Sequence, residues 1–150
     1  MLGTKAPDFS LSATTGHNVT LDELAGSYVV LIFYPANDTP VCNLQLDEMS
    51  LSASKLLQHN ARVFGVNTAK VDKSRDYCTR KRLEFPILSD VGGATAKKFK
   101  AFWGWLGMNK RTVVVINPNG MICFYAPGKP SPDTVIQAIT ADQQAPQTSR

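Results

Sequence analysis

An unbroken apolar run at residues 28–34 dominates the hydrophobic pattern of this 150-residue chain. The run holds aliphatic and aromatic side chains, with no charged residue and no glycine. A strand that is covered on both faces of a sheet need not alternate apolar and polar residues. The pattern therefore predicts a buried central strand over 28–34.

The segment 43–59 shows a helical period instead. Its apolar side chains recur every three or four residues, as in an amphipathic helix: Leu44, Leu46, Met49, Leu51, Ala53, Leu56 and Leu57. The loop between strand and helix carries two prolines and an Asn-Asp pair, which are turn formers. Cys42 therefore falls in the first turn of the predicted helix, directly after the turn.

That position favours a reactive sulfur at Cys42. The first turn of a helix presents unpaired backbone N–H groups, here at Val41 and Cys42, and the positive end of the helix dipole. Both stabilise a thiolate, which is the nucleophilic form of cysteine. Thr39 lies three residues earlier, where its hydroxyl could cap these N–H groups or touch the sulfur. The alternative is that Cys42 is a small buried hydrophobe, as free cysteines usually are.

The remaining pattern predicts an α/β fold. A strand over 61–67 forms a parallel pair with strand 28–34, because a helix connects them. We also predict a capping box at Thr20 and Glu23 and an alternating strand near the N-terminus. Further predicted elements are a charged helix over 72–82, an extended segment over 85–88, a helix over 94–102, a hairpin over 112–125 and a final helix over 132–140.

Two segments carry further expectations. The glycine-punctuated apolar stretch 103–108 would be costly as exposed surface, so we expect it to pack over the core or line a pocket. Residues 1–142 are expected to form a single domain, and the polar residues 143–150 a flexible tail. Together, the predicted strands and helices form a mixed sheet that is parallel in the middle, with an antiparallel hairpin at one edge and helices on both faces.

Composition and charge exclude several classes of protein. No apolar run approaches the roughly 20 residues of a membrane span, and the N-terminus shows no hydrophobic signal region. We therefore expect no membrane partner and a cytoplasmic location. Residues 70–111 hold eleven Lys or Arg against four Asp or Glu. No nucleic-acid-binding motif accompanies this charge, so a solvated helix face is expected rather than a nucleic-acid partner.

The cysteines do not form a structural framework. Cys42, Cys78 and Cys123 are odd in number and widely spaced, unlike the cysteines of a secreted disulfide-rich domain. No C-x-x-C pair occurs and both histidines are isolated, so neither a metal site nor another cofactor is expected. Cys123 lies inside a predicted strand, where buried packing is its expected role.

Four motifs, in order, resemble those of one enzyme family. Pro35-x-x-x-Thr39-x-x-Cys42, directly after Phe33-Tyr34, resembles the peroxidatic motif of the peroxiredoxins, and is most similar to the bacterioferritin comigratory protein (PrxQ) branch. The other similar segments are 3–9, 85–90 and 111–120. The resemblance implies a thioredoxin-like sandwich with a central mixed β-sheet and helices on both faces. It also implies a thiol peroxidase acting on hydrogen peroxide and organic hydroperoxides.

The resemblance assigns roles to individual residues. Cys42 would attack the peroxide, and Arg111 would lie beside it, with its guanidinium fork holding the sulfur and the peroxide oxygens. Without the resemblance, Arg111 would be read as a surface arginine at the start of a strand. The other expected site residues are Thr39 as a hydrogen-bonding partner of the peroxide, Pro35 as a shield against water, and Val41 and Tyr34 in substrate binding.

The resolving thiol departs from the commonest pattern of the branch. Many members carry a second cysteine five residues after the first, where this chain has Asp47. A subset uses a cysteine on the next helix, and the resemblance then implies an intramolecular Cys42–Cys78 disulfide, with simple packing of Cys78 as the alternative. Since cysteines on separate helices should start beyond the roughly 4.4–6.8 Å Cα separation of a disulfide, we predict local unwinding near Cys42 or in helix 72–82.

Other functions remain open at this stage. We expect a monomer that is regenerated by thioredoxin or a similar dithiol. The alternatives are a one-cysteine peroxidase resolved by an external thiol, a thioredoxin-like disulfide oxidoreductase, and a redox-responsive binding module that uses residues 103–108. The oxidoreductase reading lacks its C-x-x-C pair. Val41 and Asn43 also replace the Gly and Thr that are usual around the motif cysteine.

Overall fold

The computed structural model describes residues 1–145. Its strands are β1 (Ser10–Ala13), β2 (Asn18–Thr20), β3 (Tyr28–Phe33), β4 (Ala61–Asn67), β5 (Ile87–Ser89), β6 (Phe102–Trp103), β7 (Met108–Asn109), β8 (Thr112–Ile116) and β9 (Ile122–Pro127). Its helices are α1 (Pro40–Leu51), α2 (Ala53–Gln58), α3 (Val71–Lys81), α4 (Ala94–Lys98) and α5 (Pro132–Gln144), with a 3₁₀ turn at Asp22–Leu24. Among the described residues, no helix has the length and apolar character needed to cross a membrane.

The central sheet is mixed, as the sequence predicts. Seven strands run in the order β2-β1-β5-β4-β3-β8-β9, and β6 with β7 forms a separate two-stranded hairpin. The pairs β3–β4 and β4–β5 are parallel. The pairs β3–β8 and β8–β9 are antiparallel, so the edge hairpin is confirmed.

The uncharged run at 28–34 forms the centre of the core. Every residue of β3 is buried, and because successive side chains point to opposite faces of a sheet, the strand supplies both halves of the core. Val30 and Ile32 face the cluster that includes side chains of α1, α2, α3 and α5. Leu31 and Phe33 face the cluster that includes α4 and the N-terminal segment. Helices on both faces of the sheet are thereby confirmed.

The predicted helix over 43–59 is two helices, and its predicted apolar face is buried only in part, at Leu46, Met49 and Leu56. Helix α1 begins at Pro40 and ends at Leu51, and Ser52 separates it from α2. Leu44, Leu51 and Leu57 are exposed, so their predicted inward positions are wrong. The buried stripe of α1 comprises Cys42, Gln45, Leu46 and Met49, at the i, i+3, i+4 and i+7 spacing of one helix face.

Three other segments need correction, and one prediction is confirmed. Helix α4 ends at Lys98, earlier than predicted. The apolar stretch 103–108 does not pack over the core, since the exposed fraction of Trp105 is 81%. Helix α5 continues to Gln144, so the start of the predicted tail at 143 belongs to a helix, while 146–150 lie outside the described residues. The capping box is present, because Thr20 and Glu23 exchange backbone-to-side-chain hydrogen bonds at 2.6 and 3.3 Å.

Candidate active site

Cys42 and Arg111 meet at the end of the central sheet where β3 ends and β8 begins. Cys42 is the third residue of α1 and is fully buried. Arg111 directly precedes β8, whose first residue, Thr112, pairs with Phe33 at the end of β3. The end of β3, the turn and α1 therefore lie beside the beginning of β8. Arg111 Nη2 donates a hydrogen bond to Cys42 Sγ at 3.2 Å.

The same guanidinium is held by Gln45. Arg111 Nη1 donates to Gln45 Oε1 at 2.8 Å, so the two ends of the planar fork contact two side chains of one helix face. Gln45 is buried, and its Nε2 has no hydrogen-bond partner within residues 1–145. Sequence reasoning missed Gln45; its signal was a polar residue three positions after Cys42, on the same helix face.

This arrangement favours negative charge on Cys42. A hydrogen bond from a guanidinium to an ionised acceptor is stronger than one between neutral groups. The first turn of α1 adds N–H groups without acceptors in their own helix and the positive end of the helix dipole. In a site that excludes water, these interactions weaken less than they would in solvent. The pair is therefore suited to nucleophilic attack by sulfur and to stabilising a departing oxygen anion.

The turn before α1 keeps its predicted place, but one predicted hydrogen bond is missing. Thr39 is the N-cap residue and has an extended backbone, yet its side chain makes no capping hydrogen bond, so of its two predicted roles the capping role is wrong. Its carbonyl accepts from the Asn43 backbone N–H at 2.7 Å. Pro35 and Thr39 are half-buried, and Val41 is about half exposed. The Thr39 hydroxyl is thus not used to cap the helix.

A network of buried and half-buried polar side chains holds the turn that precedes α1. The Tyr34 hydroxyl donates to Asn37 Oδ1 at 2.6 Å and accepts from Asn67 Nδ2 at 3.0 Å. Asn37 Nδ2 in turn donates to Ser74 Oγ of α3 at 3.2 Å. Burial above all, and then the nearby Tyr77 and cysteine side chains, raise the pKa of Tyr34 well above its usual range. Tyr34 therefore positions the turn as a neutral phenol, and its predicted contact with substrate stays a prediction.

Helix α3 is tied to the beginning of α1 by side chains. The Tyr77 hydroxyl donates to Asn43 Oδ1. Lys81 Nζ lies 2.9 Å from Asp47 Oδ2, and Arg80 Nη1 lies 3.6 Å from Asp38 Oδ2. Three side-chain contacts therefore join α3 to α1 and to the turn before it.

Comparisons with known proteins show which family this chain belongs to. The AhpC/TSA family model matches residues 2–124. A Helicobacter pylori protein assigned to the peroxiredoxins under the name bcp is 30% identical over 132 residues, which is 83% of this chain and 87% of that protein. The chain belongs to the AhpC/TSA family. It is a peroxiredoxin, an enzyme of the thiol peroxidase class, and the assignment made from its motifs is confirmed.

Plant relatives and solved structures agree with this assignment. Chloroplastic peroxiredoxin Q of japonica rice is 29% identical over 123 residues, 81% of this chain and 57% of that protein. The crystal structure of peroxidoxin BcpB from Mycobacterium tuberculosis has a TM-score of 0.84 at 28% identity and covers 97% of this chain and 98% of that one. Enterococcus faecalis AhpC has a TM-score of 0.88 at 22% identity, covering 95% and 92%, which supports the thioredoxin-like fold.

The sulfur of the second cysteine of this peroxiredoxin contacts the residue that follows β1. Cys78 is half-buried, and its Sγ lies 3.7 Å from Thr14 Oγ1, beside β1. Burial raises the pKa of Cys78 above its usual value. Cys42 belongs to the core cluster against which Cys78 packs, and all three cysteines are free thiols. A resolving role for Cys78 stays a prediction.

The third cysteine is poorly suited to reaction. Cys123 is half-buried in β9 and packs against the same core cluster, in agreement with its expected packing role. Burial, with a smaller effect of Asp142, raises the pKa of Cys123 to about 12. Its thiol therefore stays protonated at neutral pH. Within residues 1–145, no group of three or more His, Cys, Asp or Glu side chains could hold a metal ion.

Proposed function

We propose that this peroxiredoxin reduces hydrogen peroxide and organic hydroperoxides with Cys42 as the nucleophile. The observation that carries the proposal is the 3.2 Å hydrogen bond from Arg111 Nη2 to Cys42 Sγ at the first turn of α1. A thiolate held beside a guanidinium and a helix N-terminus has the charge stabilisation that attack on an O–O bond requires. The relatives named bcp and peroxiredoxin Q support the same function.

The first step forms a bond between the sulfur and one peroxide oxygen. The Cys42 thiolate attacks that oxygen, the O–O bond breaks, and the other oxygen leaves with the electron pair as an alkoxide or hydroxide that takes up a proton. Cys42 becomes a sulfenic acid, and the peroxide becomes an alcohol or water. Arg111 and the first-turn N–H groups, including that of Val41, stabilise the charge that moves from sulfur to oxygen. Thr39 would offer its uncommitted hydroxyl to the peroxide, and Pro35 would keep water from the sulfur.

The second step would join Cys42 to Cys78. The Cys78 thiol attacks the sulfenic sulfur, water leaves, and an intramolecular disulfide forms. Both sulfurs pack against one core cluster, which supports the pairing, but Cys78 faces Thr14 and Cys42 faces Arg111. The beginning of α1 or part of α3 must therefore unwind, which requires the contacts between these helices to open.

A dithiol such as thioredoxin would then reduce the disulfide by exchange and become a disulfide itself. We further propose that the enzyme works as a monomer, because one chain supplies the nucleophile, the guanidinium and the candidate resolving thiol. Three free thiols suit a reducing compartment, which supports a cytoplasmic location.

Peroxide-dependent oxidation of NADPH through thioredoxin and thioredoxin reductase tests the whole cycle. Cys42→Ser should abolish turnover, and Cys78→Ser should abolish thioredoxin-dependent turnover while leaving the first oxidation of Cys42 intact. Cys123→Ser is the matched control and should retain activity. Full turnover by Cys78→Ser with thioredoxin would instead show a one-cysteine peroxidase resolved by an external thiol.

A further inference from the structure

An exposed apolar hairpin projects from the fold next to Arg111. The tryptophan hairpin comprises residues 102–109, that is β6, the connecting turn and β7. Four of its large apolar side chains are exposed, with exposed fractions from 38% to 81%: Trp103, Trp105, Leu106 and Met108. Exposed apolar side chains scattered singly are ordinary, but a contiguous group on a projecting turn is typical of an interaction surface.

Hydrogen bonds hold the base of the tryptophan hairpin to the rest of the fold. Asn109 is buried and donates from Nδ2 to the Val66 carbonyl at 3.0 Å, and the Lys110 N–H donates to the Ala101 carbonyl at 2.8 Å. At the tip, the N–H groups of Leu106 and Gly107 both donate to the Trp103 carbonyl. The tip therefore offers apolar side chains while part of its backbone is already hydrogen-bonded.

The surroundings of the tryptophan hairpin carry positive charge. Residues 91–132 contain six Lys or Arg and no Asp or Glu. Lys110 Nζ lies 5.0 Å from the centre of the Trp103 ring, and Lys97 Nζ lies 5.1 Å from that of Phe102. Neither these two lysines nor the exposed Lys100 forms an ion pair within residues 1–145.

We propose that the tryptophan hairpin docks this enzyme onto an anionic membrane surface. Indole rings settle at the level of the lipid headgroups, and basic side chains near such a surface are attracted to anionic lipids. The hairpin combines the two interactions, because its apolar tip stands above a base where Lys110 and Lys97 lie against Trp103 and Phe102. Lys97, Lys100 and Lys110, which form no ion pair within residues 1–145, give charge complementarity to such lipids. Docking of this kind is peripheral, so it is compatible with the absence of a spanning helix in the described part of the chain.

The chain carries its own probe for this interaction. Its two tryptophans both lie in the hairpin, so tryptophan fluorescence, excited where tyrosine does not absorb, reports on the hairpin alone. The reduced protein, titrated with vesicles of phosphatidylcholine mixed with phosphatidylserine, should shift its emission to shorter wavelength and sediment with the vesicles. Vesicles of phosphatidylcholine alone should give a much smaller response, and salt should weaken binding to the mixed vesicles.

Matched variants separate the hairpin from the rest of the surface. Trp105→Ser with Leu106→Ser should abolish sedimentation with the vesicles, whereas Leu51→Ser removes a still more exposed apolar side chain elsewhere and should not. Lys100→Gln should lower the partition coefficient about fivefold, and Lys5→Gln, beyond the other end of β8, should leave it unchanged.

Three results would overturn the proposal. The first is equal binding to both kinds of vesicle, or no fluorescence shift with either. The second is a tryptophan emission maximum that, without vesicles, already lies at short wavelength and depends on protein concentration. That result would show that the hairpin mediates self-association. The third is the same shift with polyglutamate but not with vesicles, which would assign it to an acidic protein. Because every readout is a binding measurement on reduced protein, failure here leaves the proposed peroxidase activity untouched.

Discussion

Arg111 Nη2 lies 3.2 Å from Cys42 Sγ, although the two residues are 69 positions apart in the chain. The antiparallel pairing of β3 with β8 creates this contact, because it places the residue before β8 beside the turn that follows β3. The buried sulfur of Cys42 therefore has a cationic hydrogen-bond donor in Arg111, and Gln45 holds that donor in place.

Arg111→Lys should slow the oxidation of Cys42 by hydrogen peroxide by about 100-fold, as expected for the loss of a preorganised donor to a developing anion. A lysine keeps the charge but cannot form the planar, two-ended fork that contacts Cys42 and Gln45 together. Stopped-flow measurement of the second-order rate constant provides the test. Arg62→Lys, an exposed arginine on β4, is the control. A variant with the rate of the parent enzyme would remove Arg111 from the mechanism.

Gln45→Leu should separate activity from stability. The substitution removes the acceptor of Arg111 Nη1, so the guanidinium is no longer held and the rate of Cys42 oxidation should fall about tenfold, the equivalent of one hydrogen bond to a charged group. It also removes the buried Nε2 that has no partner in the described residues. The free energy of unfolding in urea should therefore change by less than about 1 kcal/mol. A parallel loss of rate and stability would show a purely structural role.

Tyr77→Phe should accelerate formation of the Cys42–Cys78 disulfide. The substitution keeps the buried ring but removes the hydrogen bond to Asn43 that ties α3 to α1. Since these helices must separate for the sulfurs to meet, the disulfide should form about fivefold faster, while the initial oxidation of Cys42 stays unchanged. Quenched-flow alkylation and mass spectrometry measure both rates. Tyr125→Phe, which removes a hydroxyl bonded to the Phe99 carbonyl, is the control; an equal effect in both variants would refute the opening step.

Alkaline pH should destabilise the enzyme through Cys123. In the unfolded chain this thiol ionises near pH 9.0, whereas burial raises its pKa to about 12 in the folded protein. Between these pH values the thiol is ionised in the unfolded chain but protonated in the folded protein. The contribution of Cys123 to the free energy of unfolding is therefore fully present below pH 9 and is lost as the pH rises. Cys123→Ala should remove about 1 kcal/mol of the stability lost between about pH 8 and pH 10. Urea unfolding at both pH values measures the difference, and identical losses in the two proteins would contradict the assignment.

The sequence predicted the elements whose pattern is local. The uncharged run became the buried β3, and the strand–helix–strand order gave the parallel pair. Cys42 fell in the first turn of α1 because prolines and turn residues separate the two hydrophobic periods. Each of these features depends on residues close together in the chain, so the pattern was sufficient.

The features that were missed depend on tertiary contacts. Three leucines of 43–59 are exposed, because the buried face of α1 includes Cys42 and Gln45 and only part of the predicted apolar set. Gln45 gains its role from an arginine 66 positions away. The apolar character of 103–108 could not show whether the fold covers that segment, and it does not.

Treatment of the reduced chain with one equivalent of hydrogen peroxide, followed by intact-mass and peptide mass spectrometry over time, tests the central role of Cys42 most directly. We predict that one oxygen is first added to Cys42 and is then lost as water when Cys42 and Cys78 join. Oxygen addition at Cys78 or Cys123 before Cys42, or an unmodified Cys42 after the peroxide is consumed, would contradict the mechanism.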